Sequence, residues 1–192
     1  MRHGATEWNA SKRFQGHSDV ELSDEGRRQA RAIAVFLGDG IERIYTSDLL
    51  RASETARAIA ERSGAAMWLD ERLREFHFGD WEGLTWDEIV AKHPELAGSS
   101  WADAKNYAPE GGETFEALRG RVGAFFDEVR KEPYERVAVV THAGALHAAL
   151  SVLGLAPEAA IFALGSVTRV AMDADGARII SLNDVRHLDP AG

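Results

Sequence analysis

The chain has 192 residues, a mass of 21.0 kDa and 45% hydrophobic residues, enough for one domain with a sizeable core. Its formal net charge of -9 argues against general binding to nucleic acid or to an anionic membrane, because both need a basic surface. It contains no cysteine, which excludes disulfides, thiolate metal sites and a cysteine nucleophile.

The chain opens on Met1-Arg2-His3-Gly4, with Thr6 and Asn9 close behind. A histidine directly after an arginine can attack a phosphate that the arginine holds, so this opening predicts a phosphate-binding loop. Such a loop normally follows an inner strand, whose absence would leave buried backbone groups unpaired at about 1–3 kcal/mol each. We therefore expect the native protein to begin several residues earlier, with a short apolar strand before Arg2. The intact mass of the native protein would test this.

The next segments alternate between a helix, a strand and a second helix. Ser23 to Leu37 has apolar residues on one helical face, and glycines follow it. Ile44 to Thr46 is typical of a short buried strand. Ser47 then suits the N-cap of a helix that runs to about Arg62, which would put Arg51 in its first turn.

The middle of the chain contains a weak strand, an aromatic segment and a strong helix. Met67 to Leu69 is the weak strand, and Leu73 to Tyr107, rich in aromatic residues and turns, resembles a lid more than a core. Apolar spacings of three and four predict a helix from Phe115 to Val129. Val137 to Val140 is a continuous apolar run, as expected of a central parallel strand.

The C-terminal part begins with Thr141-His142-Ala143-Gly144, directly followed by a helix that carries Leu146, Leu150 and Leu153. Val167 to Met172 and Ile179 to Leu182 predict a closing β-hairpin. Alternating strands and helices indicate the α/β class, a three-layer α/β/α sandwich with a mostly parallel central sheet. We expect a single domain over 1–192, with a small aromatic-rich lid inserted at about 76–112.

Two histidines and an arginine fall where strands of this sheet end. His142 follows one strand, Arg51 follows another, and His3 belongs to a loop of the same kind. Ligands bind beyond the carboxyl ends of such strands, so these side chains are expected to share one pocket. A lone histidine is more often structural, but the combination with Arg2 and Arg51 favours a site.

Five blocks in this order and spacing resemble the histidine phosphatase superfamily, also called the phosphoglycerate mutase-like family. They are RHGATEWN, FQGHSDVELSDEGRRQA, YTSDLLRASETA, LREFHFGDWEG and VVTHAG. Together they cover Met1 to about Leu155. The chain is similar to the broad-specificity phosphatases and alpha-ribazole phosphatases of this family.

The resemblance implies a covalent mechanism. His3 would attack phosphorus and form a phosphohistidine that water then hydrolyses. Arg2, Arg51 and His142 would hold the three non-bridging oxygens of the phosphoryl group. Two further donors to the phosphate are implied, the side chain of Asn9 and the backbone N–H of Ala143.

The leaving alkoxide needs a proton, and the resemblance assigns that proton to Glu75, which could later activate water. Asp80 and Glu82 compete for this role, and all three could instead be solvated loop acids. Gln15, next to Gly16, is a candidate substrate contact or a residue that stabilises the loop.

Within the family, the choice lies between a phosphatase and a cofactor-dependent phosphoglycerate mutase. A mutase must retain a bisphosphorylated intermediate, which calls for extra basic residues over the pocket and, in the family, a longer insert before the second histidine. From Phe76 to Gly112 the basic side chains are Lys92 and Lys105, against a clear excess of acids. The aromatic rings of this segment would line an apolar mouth or pack the lid on the core. We therefore predict a histidine acid-type phosphatase, a phosphoric monoester hydrolase without cofactor or metal.

Two functions of other classes stay open. A metallohydrolase could use His17 and Asp19 with His142, although no third ligand cluster is visible. A non-catalytic protein could use the pocket only to hold phosphorylated ligands. The expected partner is a small-molecule phosphate monoester, with no nucleic acid or membrane, and a homodimer is left open. Without an apolar run of about 18 residues or a signal pattern, we predict a cytoplasmic location.

Overall fold

Three parallel strands form the central sheet of the computed structural model, which describes residues 1–99, 109–155, 160–173 and 175–189. The strands are β1 (Arg43–Thr46), β2 (Ala66–Leu69) and β3 (Val137–Val140), in the order β2-β1-β3. In register, Thr46 of β1 lies beside Leu69 and Val140, so all three strands end at one edge. The predicted strands and their parallel arrangement are confirmed.

Helices surround this sheet, and a hairpin closes the chain. The helices are α1 (Glu7–Ala10), α2 (Asp24–Leu37), α3 (Leu50–Ser63), α4 (Trp86–Lys92), α5 (Phe115–Val129) and α6 (Ala143–Val152). Short 3-10 helices occupy Glu71–Leu73, Gly79–Trp81, Pro94–Leu96 and Arg186–Leu188. The hairpin pairs β4 (Val167–Asp173) with β5 (Gly176–Asp184) in antiparallel fashion. Within the described ranges, no helix is long and apolar enough to cross a bilayer.

The strands alternate their side chains between two helical layers, as expected for a sheet covered on both faces. The first layer packs α2 and α3 on one face, and its core includes Ile33, Ala34, Ala52, Ala56 and Ile59 with Ile44, Ala138 and Val140 of the strands. The second packs α5 and α6 on the other face, and it includes Leu118, Val122, Phe125, Ala145 and Ala148 with Tyr45, Val137 and Val139. This arrangement is the predicted three-layer α/β/α sandwich.

Met1 to His3 lie alongside β3 and continue the parallel arrangement. The Met1 amino group donates to the carbonyl of Val139 at 2.8 Å, and the backbone N–H of His3 donates to the carbonyl of Thr141 at 3.0 Å. On the other side, the N–H of Arg2 donates to the carbonyl of Ser166 at 3.0 Å. Backbone hydrogen bonds on both sides therefore hold the loop that carries His3. The expected earlier start of the native chain stays a prediction.

One local prediction is wrong. Ser47 does not cap α3, because its own N–H donates to the carbonyl of Val140 at 3.0 Å and extends the sheet by one residue. The helix consequently begins at Leu50, after Leu49 as its N-cap, and Arg51 still lies in the first turn.

Several apolar side chains in the described part of the aromatic segment pack into the core, which was the alternative to an apolar mouth. Six of these side chains are buried with α5: Leu73, Phe76, Phe78, Trp81, Ile89 and Leu96. The reason is that rings in an irregular segment can bury against the apolar face of a helix without any periodic pattern of their own. Trp101 and Tyr107 lie outside the described residues, and the lid insertion at about 76–112 stays a prediction.

Candidate active site

The structure brings His3 and His142 together, although they lie far apart in the sequence. Their ring centroids are 5.1 Å apart, and both side chains are buried. His3 follows the N-terminal segment that pairs with β3, and His142 is the N-cap of α6 directly beyond β3. Adjacent positions in one sheet therefore produce the pair.

Hydrogen bonding leaves a lone pair on the outer nitrogen of His3. Nδ1 lies 2.7 Å from the carbonyl oxygen of Gly4, so Nδ1 carries the proton and Nε2 is unprotonated. Burial, followed by the charges of Arg51 and Arg2, holds the pKa of His3 well below its usual range. Thr55 stabilises the loop, since its Oγ1 accepts from the N–H of Gly4 at 3.1 Å. His3 is consequently neutral at neutral pH, with a lone pair on Nε2.

His142 has the opposite arrangement, with a proton on its outer nitrogen. Nδ1 accepts from Nε of Arg51 at 3.2 Å, so the neutral ring carries its proton on Nε2. This Nε2 is buried and has no hydrogen-bond partner among the described residues. Burial, followed by the charge of Arg51, lowers the pKa of His142 well below its usual range. A buried N–H without a partner costs about 1–3 kcal/mol, which a bound anion would offset.

Arg51 is buried, and each of its three guanidinium nitrogens donates one hydrogen bond, so two of its five N–H groups remain for a ligand. Besides Nε, its Nη1 donates to the carbonyl of Ser18 at 2.9 Å and its Nη2 to that of Gly16 at 2.7 Å. Burial lowers the pKa of Arg51 to about 10, against the opposing charge of Glu75, so it stays cationic at neutral pH. It therefore joins α3, the end of β3 and the loop at Gly16 in one network.

Arg2 adds a second, partly buried cation to the cluster. Its Nη1 donates to the carbonyl of Phe162 at 2.6 Å, while its buried Nε has no partner within the described part of the chain. Burial lowers the pKa of Arg2, and the charge of Glu75 opposes this change. The positive charges of Arg2 and Arg51 thus lie near the carboxyl group of Glu75 in a poorly solvated cluster.

Glu75 lies against the first turn of α6. Its Oε1 accepts from the N–H of Phe76 at 2.8 Å and from the N–H of Gly144 at 2.9 Å. The approach is close, since a Cβ at position 144 would lie 2.4 Å from Oε1. Because Oε1 already accepts two N–H groups, Oε2 is the oxygen left for another partner.

The two competing acids have other surroundings. Asp80 is 44% exposed and lies 3.7 Å from Nε2 of His93, on the surface. Glu82 accepts at Oε1 from the N–H of His17 and at Oε2 from Oγ of Ser18, both at 2.8 Å. Glu82 therefore fixes the loop whose carbonyls hold Arg51, a role that the sequence did not indicate.

The remaining predicted contact residues differ in which of their hydrogen-bonding groups are already occupied. Asn9 uses Oδ1 to accept from the N–H of Thr6 at 3.0 Å, which leaves its Nδ2 donor for a ligand. Gln15 is buried, and its Oε1 has no partner among the described residues. Gly16 has a left-handed φ of 51°, which turns its carbonyl toward Arg51. Ala143 is the first residue of α6, so its N–H is one of the helix's unpaired donors.

The residues named for a metallohydrolase have other hydrogen-bond partners in the structure. Nε2 of His17 lies 2.9 Å from the carbonyl of Glu75, and Oδ1 of Asp19 accepts from the N–H of Leu50 at 2.7 Å. In the part of the chain that the structure describes, no group of three or more His, Cys, Asp or Glu side chains is arranged to hold a metal ion.

Arg121 is a site residue that the sequence prediction missed. It lies on α5 and donates to backbone carbonyls of the segment that contains Glu75. One signal was available, because Arg121 falls on the helical face that carries Leu118, Val122 and Phe125. A basic residue in that position must find acceptors inside the protein.

The buried histidines predict a stability that falls as the pH drops. The folded protein holds the pKa of His3 and of His142 well below 6.5, the value of an unperturbed histidine. The unfolded chain therefore binds more protons below pH 6.5, and the free energy of unfolding falls by up to about 1.4 kcal/mol per pH unit for each histidine.

We expect His142→Gln to reduce this slope in urea unfolding experiments between about pH 7.5 and pH 5.5. The buried Met1 amino group, whose pKa falls from 8.0 to about 5, contributes a slope of the same sign, so the informative quantity is the difference from wild type. His93→Gln, at a partly exposed position, is the control. Equal slopes in wild type and His142→Gln would contradict the prediction.

Comparisons with known proteins give a consistent result. The sequence model of the histidine phosphatase superfamily (branch 1) matches residues 1–185. A glucosyl-3-phosphoglycerate phosphatase of Mycobacterium tuberculosis is 39% identical over 181 residues, which cover 88% of this chain and 81% of that protein.

Solved structures have the same fold over nearly the full length. YhfR of Bacillus stearothermophilus superposes with a TM-score of 0.89 at 31% identity, covering 98% of this chain and 96% of that one. An alpha-ribazole phosphatase from Shigella flexneri superposes with a TM-score of 0.85 at 25% identity, covering 96% and 94%.

Proposed function

The chain belongs to the histidine phosphatase superfamily, and we propose that it is a phosphomonoester hydrolase that acts through a phosphohistidine on His3. The observation that carries the proposal is the complementary protonation of the two histidines. Nε2 of His3 offers a lone pair, while Nε2 of buried His142 offers a proton. One can attack phosphorus while the other donates to a phosphoryl oxygen.

In the first step, Nε2 of His3 forms a bond to phosphorus as the bond to the ester oxygen breaks. Arg2, Arg51 and the N–H of His142 stabilise the charge on the non-bridging oxygens, which is the main catalytic requirement of phosphoryl transfer. Asn9 and the N–H of Ala143 add neutral donors at the same phosphate, the latter at the positive end of α6.

Glu75 is the proposed proton donor. A protonated Oε2 gives its proton to the leaving oxygen, and the resulting carboxylate then takes a proton from the water that attacks phosphohistidine. Breaking of the P–N bond releases inorganic phosphate and restores His3 and Glu75. The enzyme would thus be of the histidine acid type, with a histidine nucleophile and a carboxylic acid donor.

A small-molecule phosphate monoester is the proposed substrate. The relatives named phosphatases support hydrolysis, and the substrates in their names are small phosphorylated compounds. A cofactor-dependent phosphoglycerate mutase is the alternative, which the scarcity of basic residues between Phe76 and Gly112 disfavours. Isomerisation of 3-phosphoglycerate that depends on bisphosphoglycerate would support the mutase, and failure to turn over p-nitrophenyl phosphate would support a binding protein.

Glu75→Gln tests the role of the acid. We expect kcat/KM for an alkyl phosphate to fall by about 10²-fold, since an alkoxide leaves poorly without a proton. The loss for p-nitrophenyl phosphate should stay within about 5-fold, because its phenolate leaves with little help. Glutamine keeps an oxygen that can accept from the N–H groups of Phe76 and Gly144.

Asp80→Asn is the matched control, since it neutralises an exposed acid five residues further along the same segment. Steady-state kinetics on both esters should show no selective loss in this variant. Similar losses on the alkyl and aryl esters in Glu75→Gln would count against Glu75 as the proton donor.

A further inference from the structure

Arg121 of α5 contacts the main chain on which Glu75 is carried. Its side chain is 19% exposed. Nη1 donates to the carbonyls of Arg72 at 2.8 Å and Arg74 at 2.7 Å, and Nη2 donates to the carbonyl of Glu75 at 2.7 Å. One guanidinium therefore holds three carbonyl oxygens within four consecutive residues.

Glu113 completes this arrangement from the other side. Its Oε2 accepts from Nε of Arg121 at 3.1 Å and its Oε1 accepts from Nη2 at 2.6 Å, so the pair is bidentate. Oε1 of Glu113 also accepts from the N–H of His77 at 2.9 Å. Arg121 thus binds carbonyls of the residues before Glu75, and Glu113 binds the N–H of His77 after it.

The segment needs such contacts because it has no regular structure around Glu75. A 3-10 helix ends at Leu73 and the next begins at Gly79, so no helix or strand ladder holds the residues between them. An arginine has a rigid fork of five N–H donors, which suits several carbonyls at once. The carboxylate of Glu113 offsets the burial of the guanidinium charge.

The contacts to Glu75 are divided between two helices. Arg121 of α5 holds its carbonyl, and Nε2 of His17 lies 2.9 Å from the same oxygen. The carboxylate is held separately, by the N–H of Gly144 in α6. The main-chain contacts from α5 decide whether the side chain reaches α6 with its free oxygen directed at a leaving group.

We propose that Arg121, held by Glu113, is a positioning residue that keeps Glu75 in place for proton transfer; this inference rests on the proposed function of Glu75. Arg121 touches no reacting atom. Its effect is confined to the step that needs the acid, because its contacts hold the main chain of Glu75. A shift of about 1 Å in a catalytic group can cost about 10²-fold in rate.

The test is Arg121→Met, measured on an alkyl phosphate and on p-nitrophenyl phosphate, in wild-type and Glu75→Gln backgrounds. We expect kcat/KM for the alkyl ester to fall by about 30-fold, and that for the aryl ester by less than about 3-fold. In the Glu75→Gln background, Arg121→Met should cause no further change in the ratio of the two values. Substitution of a residue with a merely structural role would lower kcat/KM for both esters by the same factor.

Arg119→Met is the matched control, because Arg119 lies on the same helix, is 43% exposed and pairs with Glu116 at the surface. Its ratio of alkyl to aryl activity should equal that of wild type. If Arg121→Met does not fold, as judged by circular dichroism, Arg121→Lys and Glu113→Gln keep part of the contact. These two variants should lower the ratio in the same direction by a smaller factor.

The outcomes separate the two proposals. A selective loss in Glu75→Gln, without one in the Arg121 and Glu113 variants, overturns the role of Arg121 and leaves the acid in place. No selective loss in Glu75→Gln itself overturns both. A further fall of the ratio on adding Arg121→Met to Glu75→Gln also overturns the positioning role.

Discussion

His3→Ala is expected to abolish turnover, with a loss of about 10⁴-fold or more in kcat. No other side chain can replace it, because the hydrogen bond from Nδ1 to Gly4 and the pairing beside β3 aim this particular nitrogen. The second histidine cannot serve, since its Nδ1 is occupied by Arg51 and its Nε2 carries the proton. The fold should persist, as His3 adds one side chain to a loop that backbone hydrogen bonds hold.

Trapping the intermediate tests the same residue directly. Phosphohistidine is labile to acid, so enzyme mixed with labelled substrate should be quenched in alkali and the labelled peptide sequenced. We expect the label on His3, its absence from His3→Ala, and an unchanged amount in His93→Ala, which alters a histidine on the surface near Asp80. Label on a serine, or substantial turnover by His3→Ala, would sink the mechanism.

Arg51→Met should lower kcat/KM by about 10³-fold, the second largest effect. The substitution removes a cation that is proposed to face the phosphoryl group, and also the Nε donor that fixes the tautomer of His142. It further leaves the carbonyls of Gly16 and Ser18 without their donor. Arg51→Lys keeps a charge without the fork, so we expect it to recover only about tenfold of the loss.

The affinity for inorganic phosphate, measured by competitive inhibition, should weaken together with kcat/KM in both variants. Arg57→Met provides the control, because Arg57 is an exposed arginine on the same helix. It should leave both quantities unchanged. Unaltered phosphate inhibition in Arg51→Met would mean that Arg51 supports the loop at Gly16 and does not bind the anion.

Much of the fold follows from local patterns. The spacing of Leu118, Val122 and Phe125 defines the buried face of α5, and the apolar run of β3 is buried between two helical layers. These patterns are readable because a helix or strand places every third, fourth or second residue on one face whatever its neighbours are. The convergence of His3 and His142 was equally predictable, since the sequence placed both in loops expected at the carboxyl ends of strands in one sheet.

What the sequence by itself determined was therefore the α/β class, the three parallel strands, the closing hairpin and the helices α2, α3, α5 and α6. Through five ordered blocks it also indicated the family and the candidate residues, whereas α1 and α4 were not predicted. Only the tertiary structure decided which nitrogen of each histidine carries a proton. It also showed that Glu82 stabilises a loop, that Glu75 lies against the first turn of α6, and that Arg121 holds the main chain of Glu75. These features depend on hydrogen bonds between irregular segments far apart in the chain. No local periodicity encodes such bonds, because each exists only once packing has brought its donor and acceptor within about 3 Å.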